Sequence, residues 1–259
     1  MRLAVLSDIH GNQLALEAVL ADLDQQGGAD RIWVLGDLVM SGPRPAECIK
    51  LIRDLQASRP EMVEVIGGNT DRYLITRSRR GSLPKDAEQW AKMPQKMRDS
   101  ADLMIWTYAR VGWEDAEFLM KLLHRELELN VPGYGWVIGF HGGPGSDEFL
   151  MWADTPDDHI LDALSDREGR LAFGGHTHHA MDRDLGLWRM VNVGSVGIPN
   201  VDTRAQYAIV TFEGDSAHVD QRYVPFDSEA VIRDMHEQNH PEADWLANVL
   251  RTGKAQFDV

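Results

Sequence analysis

The chain has 259 residues and carries 26 Lys and Arg against 41 Asp and Glu, a formal net charge of −15. This length suits one sizeable domain, and a hydrophobic content of 43% argues against global disorder. The negative charge disfavours unspecific binding to nucleic acid or to an anionic membrane, since both require a positively charged partner. We therefore expect a globular protein that binds neither long nucleic acid nor membrane.

The cysteine count and the N-terminal segment bear on the compartment. The single cysteine, Cys48, excludes an intramolecular disulfide and any metal site built on several thiolates. The first residues lack the apolar run of a secretory signal, and no stretch approaches the ~18 apolar residues of a membrane span. These features predict a cytoplasmic protein.

In the first third of the chain, short apolar runs alternate with helical patterns. The predicted elements are strand 2–6, helix 13–23 with Asn12 as its N-cap, strand 31–35, a helix that begins at Pro43 and Pro45, and strand 62–66. Strands that alternate with helices imply a mostly parallel sheet with right-handed crossovers.

Residues 76–130 have a different character and are predicted to form a helical insertion of two or three helices within a single domain, 1–259. This range holds ten Lys and Arg against nine Asp and Glu, whereas the remainder carries a net charge of −16. Two roles are open for it. The insertion shapes a pocket beside the mouth of the site, or it stabilises the fold and forms the interface of a homo-oligomer.

The second half predicts a further set of strands and two helical segments. In chain order these are strands 127–131 and 136–140, a helix after Thr155, strand 170–174, a hairpin that turns near Leu185 and Gly186, strands 205–213 and 217–225, and a helical segment 227–251 interrupted near Pro241.

Five of the apolar runs end in residue types that bind metal ions. The residues concerned are Asp8, His10, Asp37, Asn69, His141, His176 and His178. In an open α/β sheet the carboxyl ends of the strands border one crevice, so these side chains are expected to converge. Carboxylate, imidazole and amide together suit Mn²⁺, Fe²⁺ or Zn²⁺. Seven ligands are too many for one tetrahedral ion and suffice for two that share a carboxylate, an arrangement used in phosphoester hydrolysis.

These motifs, in this order, resemble those of the calcineurin-like metallophosphoesterases. The matching blocks are Asp8-x-His10, Gly36-Asp37, Gly68-Asn69, His141 and Gly175-His176-x-His178. The resemblance spans roughly residues 1–225 and is greatest to the compact bacterial and archaeal phosphodiesterase-like branch. It implies an α/β fold, a four-layer αββα sandwich of two mixed β-sheets flanked by helices. It also implies that residues 192–197 form a loop beneath the metal site.

The resemblance also implies a role for each ligand. Asp8, His10 and His178 would hold one metal ion, Asn69, His141 and His176 a second, and Asp37 would bridge the two. A hydroxide that bridges the metals would attack phosphorus in line, so Asp37, Asn69, Thr70 and His176 are the predicted catalytic residues. The predicted cofactors are two divalent ions, Mn²⁺ first, with Fe, Zn²⁺ and Ni²⁺ as alternatives. The expected substrate is a small or nucleotide-like phosphodiester.

Two departures from the family pattern concern proton transfer and phosphate binding. Many relatives have His after the Asn ligand, whereas this chain has Thr70, whose hydroxyl is a poor general acid. Either the leaving group departs unassisted or another residue, such as His179, substitutes. The Gly-Asp-x-x-Asp-Arg-Gly block of the serine/threonine protein phosphatases and bis-nucleotide tetraphosphatases is also absent, so another arginine is expected to bind substrate. The candidates are Arg44, Arg72 and Arg77, the last two in a cluster with Arg79 and Arg80.

Two classes of function remain open from the sequence. The first is a dinuclear-metal phosphoric ester hydrolase, which the complete set of coordinating side chains favours. The second is a non-catalytic binding or scaffold module on the same fold, toward which the replacement of the usual histidine by Thr70 points.

Overall fold

The computed structural model describes residues 1–77 and 86–254. Its first sheet has the strand order β10-β9-β1-β2-β3. The strands are β1 (Arg2–Leu6), β2 (Arg31–Val34), β3 (Val63–Val65), β9 (Ala205–Glu213) and β10 (Ser216–Val224). Strands β1, β2 and β3 are parallel, whereas β9 runs antiparallel to both β1 and β10.

The second sheet has the strand order β4-β5-β6-β8-β7. Its strands are β4 (Leu127–Val131), β5 (Gly135–Gly139), β6 (Leu171–Gly174), β7 (Met181–Asp184) and β8 (Arg189–Asn192). Strands β5, β6 and β8 are parallel, and β4 and β7 are antiparallel edge strands. The β7–β8 pair is the hairpin predicted around Leu185 and Gly186.

Except for α3, which was not predicted, the helices lie close to their predicted places. In the described residues they are α1 (Gln13–Gln25), α2 (Pro45–Ser58), α3 (Asn69–Thr76), α4 (Ala87–Lys92), α5 (Gln95–Tyr108), α6 (Trp113–Leu122), α7 (Asp157–Ala163), α8 (Ser228–Glu237) and α9 (Ala243–Thr252). Asn12 caps α1, because its Oδ1 accepts a hydrogen bond from Ala15 N at 3.2 Å. Among these helices none is long and apolar enough to cross a membrane.

Strand β1 shows why the two sheets stack. Leu3 and Val5 pack into the core between the sheets, together with Phe173 of β6. Ala4 and Leu6 point to the other face, where the helices cover the first sheet. A strand buried on both faces is apolar throughout rather than alternating, which is the pattern that residues 3–6 display. On the outside of the second sheet, α7 supplies further buried apolar side chains. The predicted four-layer αββα sandwich is confirmed.

The predicted insertion contains α4, α5 and α6, with residues 78–85 outside the described part. Leu103 and Met104 of α5 and Leu119 and Leu122 of α6 share the apolar core on the outer face of the first sheet. Both helices also contact α3, the helix that begins at Asn69. They therefore support an element of the site, while the assignment of 76–130 as an insertion stays a prediction.

Helices α8 and α9 form a small core of their own, which includes Ile198 of the loop after β8. The turn between these two helices meets α5. Trp106 Nε1 donates to the carbonyl oxygen of Gln238 at 3.4 Å, and Arg110 Nη2 donates to the same oxygen at 3.3 Å. The rings of Trp106 and His240 lie 4.4 Å apart, edge to face. The C-terminal helices are thus joined to the middle of the chain.

We expect His240→Asn to reduce the loss of stability in acid. Burial and the nearby charge of Arg110 lower the pKa of His240 to about 4 from its usual 6.5. The unfolded chain therefore binds more protons between pH 6.5 and 4, and wild-type stability falls as the pH drops through this window. Asparagine retains an acceptor for Glu242 N and does not titrate. The loss in free energy of unfolding between pH 7 and 4.5 should shrink by roughly 2 kcal/mol.

Urea unfolding at the two pH values measures this effect. His159→Asn, at an exposed position of α7, is the matched control and should leave the acid loss at its wild-type value. Equal acid losses in wild type and His240→Asn would contradict the prediction.

Candidate metal centre

The seven predicted ligands lie just beyond the carboxyl ends of β1, β2, β3, β5 and β6. The structure brings them together in two groups. In the first group, the ligand atoms of Asp8, His10 and His178 all lie within 4.8 Å of one another, and those of Asp37, His141 and His176 do the same in the second group. Asn69 joins the second group, because its Oδ1 lies 2.9 Å from His141 Nε2. Both sheets therefore contribute to one crevice.

The carboxylate of Asp37 lies between the two groups. Its Oδ1 is 3.4 Å from His141 Nε2, and its Oδ2 is 3.5 Å from His10 Nε2. Asp8 faces the first group, with its Oδ1 3.2 Å from His178 Nε2. Two oxygens directed at two separate sets of nitrogen donors form the geometry that a bridging carboxylate requires.

The hydrogen bonds of two histidine rings leave their Nε2 atoms directed at the carboxylates of the site. Nδ1 of His141 lies 2.7 Å from the carbonyl oxygen of Leu35, and Nδ1 of His178 lies 2.9 Å from that of Ile198. A carbonyl oxygen only accepts, so each Nδ1 carries a proton, and Nε2 is the atom left to bind a metal ion when the ring is neutral. Acceptors this close to carboxylate oxygens repel unless a cation lies between them. The donor set therefore fits divalent ions of intermediate hardness.

The pKa shifts of the site residues also indicate that the site favours positive charge. Burial would lower the pKa of His141, but the carboxylates of Asp37 and Asp8 raise it to about 10. Without a metal ion, a proton therefore occupies Nε2 of His141, and a metal ion would bind there by replacing that proton. Burial would likewise raise the pKa of Asp37, but His141 and His10 hold it well below its usual range. Burial lowers the pKa of His10 and of His176 to about 4, so these rings are neutral and ready to bind a metal ion near pH 7.

The ligand loops hold an unusual backbone. Five of the seven predicted ligands are non-glycine residues with positive φ, namely Asp8 (58°), His10 (50°), Asp37 (53°), His176 (66°) and His178 (58°). This left-handed conformation costs roughly 1–2 kcal/mol for each residue with a Cβ. The surrounding sheets stabilise these turns, and the turns direct neighbouring side chains toward one point.

Three residues that support the ligands were not predicted as site residues. Asp71 accepts hydrogen bonds from Leu38 N at 2.9 Å and Gly68 N at 2.9 Å, so it ties the loop of Asp37 to the start of α3. Burial and the charge of Asp37 raise the pKa of Asp71 to about 7. The Gly68-Asn69-Thr70-Asp71 block contained this signal, because an acid two residues after a ligand at a helix start is placed to cap that helix.

The other two supporting residues belong to the loop predicted to lie beneath the metal site. Ser195 Oγ donates to the carbonyl oxygen of Asp8 at 2.9 Å, and Gly197 N donates to the same oxygen at 2.9 Å. The loop thus packs against the backbone that carries Asp8, as expected.

Thr70, the residue in the usual histidine position, forms hydrogen bonds through both its backbone N and its side-chain hydroxyl. Its backbone N donates to Asp37 Oδ1 at 2.8 Å, and its hydroxyl Oγ1 donates to the carbonyl oxygen of Val39 at 3.0 Å. A hydroxyl has one proton to donate, so this group has none left for a phosphoryl oxygen or a leaving group. The contacts favour a supporting role in which Thr70 holds the Asp37 loop.

The predicted substrate-binding arginines are held by other side chains. Arg44 forms two hydrogen bonds to Asp234, each 2.6 Å, and lies 3.3 Å from Glu47, beside a surface cavity of about 270 Å³. Arg77 donates to Tyr108 Oη at 2.5 Å and lies over its ring at 4.6 Å. Arg79 and Arg80 lie outside the described residues.

Arg72 and His179 have partners as well. Arg72 binds Asp147 through Nε at 2.7 Å and Nη2 at 2.8 Å. His179 Nε2 lies 2.7 Å from Asn200 Nδ2, and its ring meets that of Trp152 at 5.5 Å. These contacts join Arg72 and His179 to residues outside the two ligand groups. Substrate binding by arginine stays a prediction.

The comparisons with known proteins agree with this site. A family profile described as "Calcineurin-like phosphoesterase superfamily domain" matches residues 1–215. The chain therefore belongs to the calcineurin-like phosphoesterase superfamily, a family of metallophosphoesterases.

Two solved structures resemble the whole chain. One is a metallophosphoesterase from Sphaerobacter thermophilus, 28% identical with a TM-score of 0.72, covering 98% of this chain and 99% of that chain. The other is a hypothetical protein from Pyrococcus horikoshii, 25% identical with a TM-score of 0.78 and the same coverage of both chains.

Two curated relatives differ in how much of this chain they match. An uncharacterized protein of Methanocaldococcus jannaschii is 29% identical over 97% of this chain and 98% of its own. The symmetrical bis(5'-nucleosyl)-tetraphosphatase of Pectobacterium atrosepticum is 32% identical over 71 residues, which is 27% of this chain and 24% of that one. The second likeness is confined to a short segment.

Proposed function

We propose that this protein hydrolyses small or nucleotide-like phosphodiesters with two divalent metal ions, Mn²⁺ first among them. The observation that carries the proposal is the Asp37 carboxylate, whose two oxygens face nitrogen donors of two separate groups. A single ion would leave one of these groups of buried acceptors uncompensated. Family membership supports phosphoester hydrolysis as the reaction.

The side chains of the protein would position the two metal ions, and the ions would supply positive charge. When bound, the ions polarise the phosphoryl oxygen and lower the pKa of water. Asp8, His10 and His178 would hold the first ion, and Asn69, His141 and His176 the second. Thr70 N fixes one oxygen of Asp37 through a 2.8 Å hydrogen bond, so the carboxylate is oriented before substrate arrives.

Two features support a small substrate. The chain carries a net charge of −15, which disfavours a long polyanion such as nucleic acid. The short match to symmetrical bis(5'-nucleosyl)-tetraphosphatases supports a nucleotide-like ester.

The single cysteine supports a cytoplasmic location. We also propose that the protein binds no membrane and forms a homo-oligomer.

Hydrolysis of bis-p-nitrophenyl phosphate tests the proposed activity. Metal-free protein should be inactive, Mn²⁺ should restore turnover at two ions per chain, and a chelator should remove it. The same titration with Fe²⁺, Zn²⁺ and Ni²⁺ ranks the metals. A protein that binds two ions and hydrolyses none of a broad set of phosphoesters would instead be the non-catalytic module.

Turnover is expected to depend steeply on the leaving group. The Thr70 hydroxyl already donates to Val39, so no described contact identifies it as a proton donor to the departing oxygen. A series of aryl phosphodiesters should therefore show rates that fall as the pKa of the leaving phenol rises. Thr70→Val should preserve this slope even where it lowers the rate. A flat dependence in the wild type would show that another group protonates the leaving oxygen.

A further inference from the structure

A cluster of four side chains joins the two elements that carry Asn69 and His141. We refer to it as the latch, and its members are Arg72, Tyr73, Asp147 and Glu148. The guanidinium of Arg72 donates to both carboxylate oxygens of Asp147, at 2.7 and 2.8 Å, and to Glu148 Oε1 at 2.8 Å. Tyr73 Oη donates to the same oxygen of Glu148.

On the helix side, the latch lies close to a predicted ligand. Asn69 is the first residue of α3, and Arg72 lies three residues later on the same short helix. Positions three apart in a helix lie on neighbouring parts of one face. A shift of Arg72 would therefore also shift the turn that holds Asn69.

On the loop side, the chain folds back so that Asp147 lies against the residue that follows His141. Gly143 and Ser146 exchange backbone hydrogen bonds of 2.8 and 3.1 Å, which closes a tight turn. A Cβ placed on Gly142 would lie 2.9 Å from the carbonyl carbon of Asp147, so only glycine permits this approach. Through this turn, the position of the Asp147 carboxylate is coupled to that of His141.

The charge and the geometry of the latch favour positioning over substrate binding. Two carboxylates already surround the guanidinium, so a phosphate would have to displace one of them. The side chains of Arg72 and Asp147 are only 21% and 22% exposed. A two-pronged pair between planar groups fixes direction as well as distance, which a lysine at the same position would not do.

We propose that the latch sets the spacing between Asn69 and His141, and that Arg72 is a positioning residue for the second metal ion. This inference rests on the proposed two-metal function. The latch is a connection between α3 and the loop after β5 in addition to the contact of Asn69 with His141. Outer partners of metal ligands typically change metal affinity 10- to 100-fold, so we expect a change of this size confined to one ion.

Calorimetric titration of the metal-free protein with Mn²⁺ tests the inference, and electron paramagnetic resonance of the loaded protein gives a second readout. In Arg72→Gln, one ion should bind 10- to 100-fold more weakly while the other keeps its wild-type affinity, and the signal of the coupled ion pair should decline. Arg72→Lys should recover only part of the lost affinity. Asp147→Asn should reproduce the loss from the loop side.

Arg222→Gln is the matched control, because Arg222 also forms two hydrogen bonds to one aspartate, Asp22, but joins α1 to β10. It should leave both Mn²⁺ affinities unchanged even if it lowers thermal stability as much as Arg72→Gln does. Wild-type affinities for both ions in folded Arg72→Gln or Asp147→Asn would overturn the latch alone. A wild type that binds fewer than two ions would overturn the proposed function and the latch with it.

Discussion

Asp37→Asn is expected to lower the Mn²⁺-dependent turnover of bis-p-nitrophenyl phosphate by at least about 10³-fold, equivalent to about 4 kcal/mol. Asparagine keeps the shape of the side chain and one oxygen, but it removes the negative charge that faces both His141 and His10. The repulsion between two neighbouring cations would then be uncompensated. We expect the purified variant to retain at most one tightly bound ion, measured by metal analysis.

Asp182→Asn provides the control for this prediction. Asp182 also forms a two-pronged ion pair, with Arg189, but it lies on β7 at the edge of the second sheet. Its loss should leave turnover and metal content within about twofold of wild type, because a partly exposed pair contributes little to stability. Full activity in Asp37→Asn would exclude the bridging role.

Gly68→Ala is expected to reduce turnover by at least about 100-fold through the added methyl group alone. Gly68 has an extended backbone (φ −103°, ψ −172°) that any residue adopts, so no backbone strain is involved. An added Cβ would lie 2.6 Å from Asp37 N and 2.7 Å from His141 Cε1 and would push these ligands apart. A displacement of about 1 Å at a catalytic group costs on the order of 10²-fold.

Gly112→Ala is the control that separates this steric effect from helix capping. Gly112 precedes α6 as Gly68 precedes α3, and its backbone is also extended (φ −75°, ψ 171°). Its nearest neighbour, Asp115 Oδ2, would lie 3.6 Å from an added Cβ, which is ordinary contact. Turnover and Mn²⁺ affinity should be those of wild type in Gly112→Ala. Wild-type turnover and Mn²⁺ affinity in Gly68→Ala would contradict the prediction, because they would show that the ligand cluster tolerates the displacement.

The order of the elements could be predicted from the sequence because it depends on patterns local to the chain. Residues 3–6 are apolar on both faces, and strand β1 (Arg2–Leu6) formed there. Asn12 lies before a helical face formed by leucines and one valine, and it caps α1. The sequence predicted a five-residue strand over 62–66. Strand β3 spans only Val63–Val65, because the chain turns toward Asn69 immediately afterwards.

The predicted ligands came together because parallel strands bring their carboxyl ends to one edge, and residue type identified the metal-binding side chains there. The arginines could not be assigned in the same way. A guanidinium is long and flexible, and its partner depends on distant parts of the chain, as with Arg44 and Asp234 or Arg72 and Asp147. Nothing local to an arginine distinguishes an ion pair from a phosphate clamp.

The sequence by itself determined the family, the order of strands and helices, and the set of side chains able to bind metal ions, because each follows from residue types and short-range spacing. Only the tertiary structure decided where protons and charges lie. It directed the Thr70 hydroxyl to Val39, placed the Asp37 carboxylate between two groups of histidines, and joined Trp106 to His240. These contacts link residues remote in sequence, and their geometry arises when the two sheets and their helices pack together.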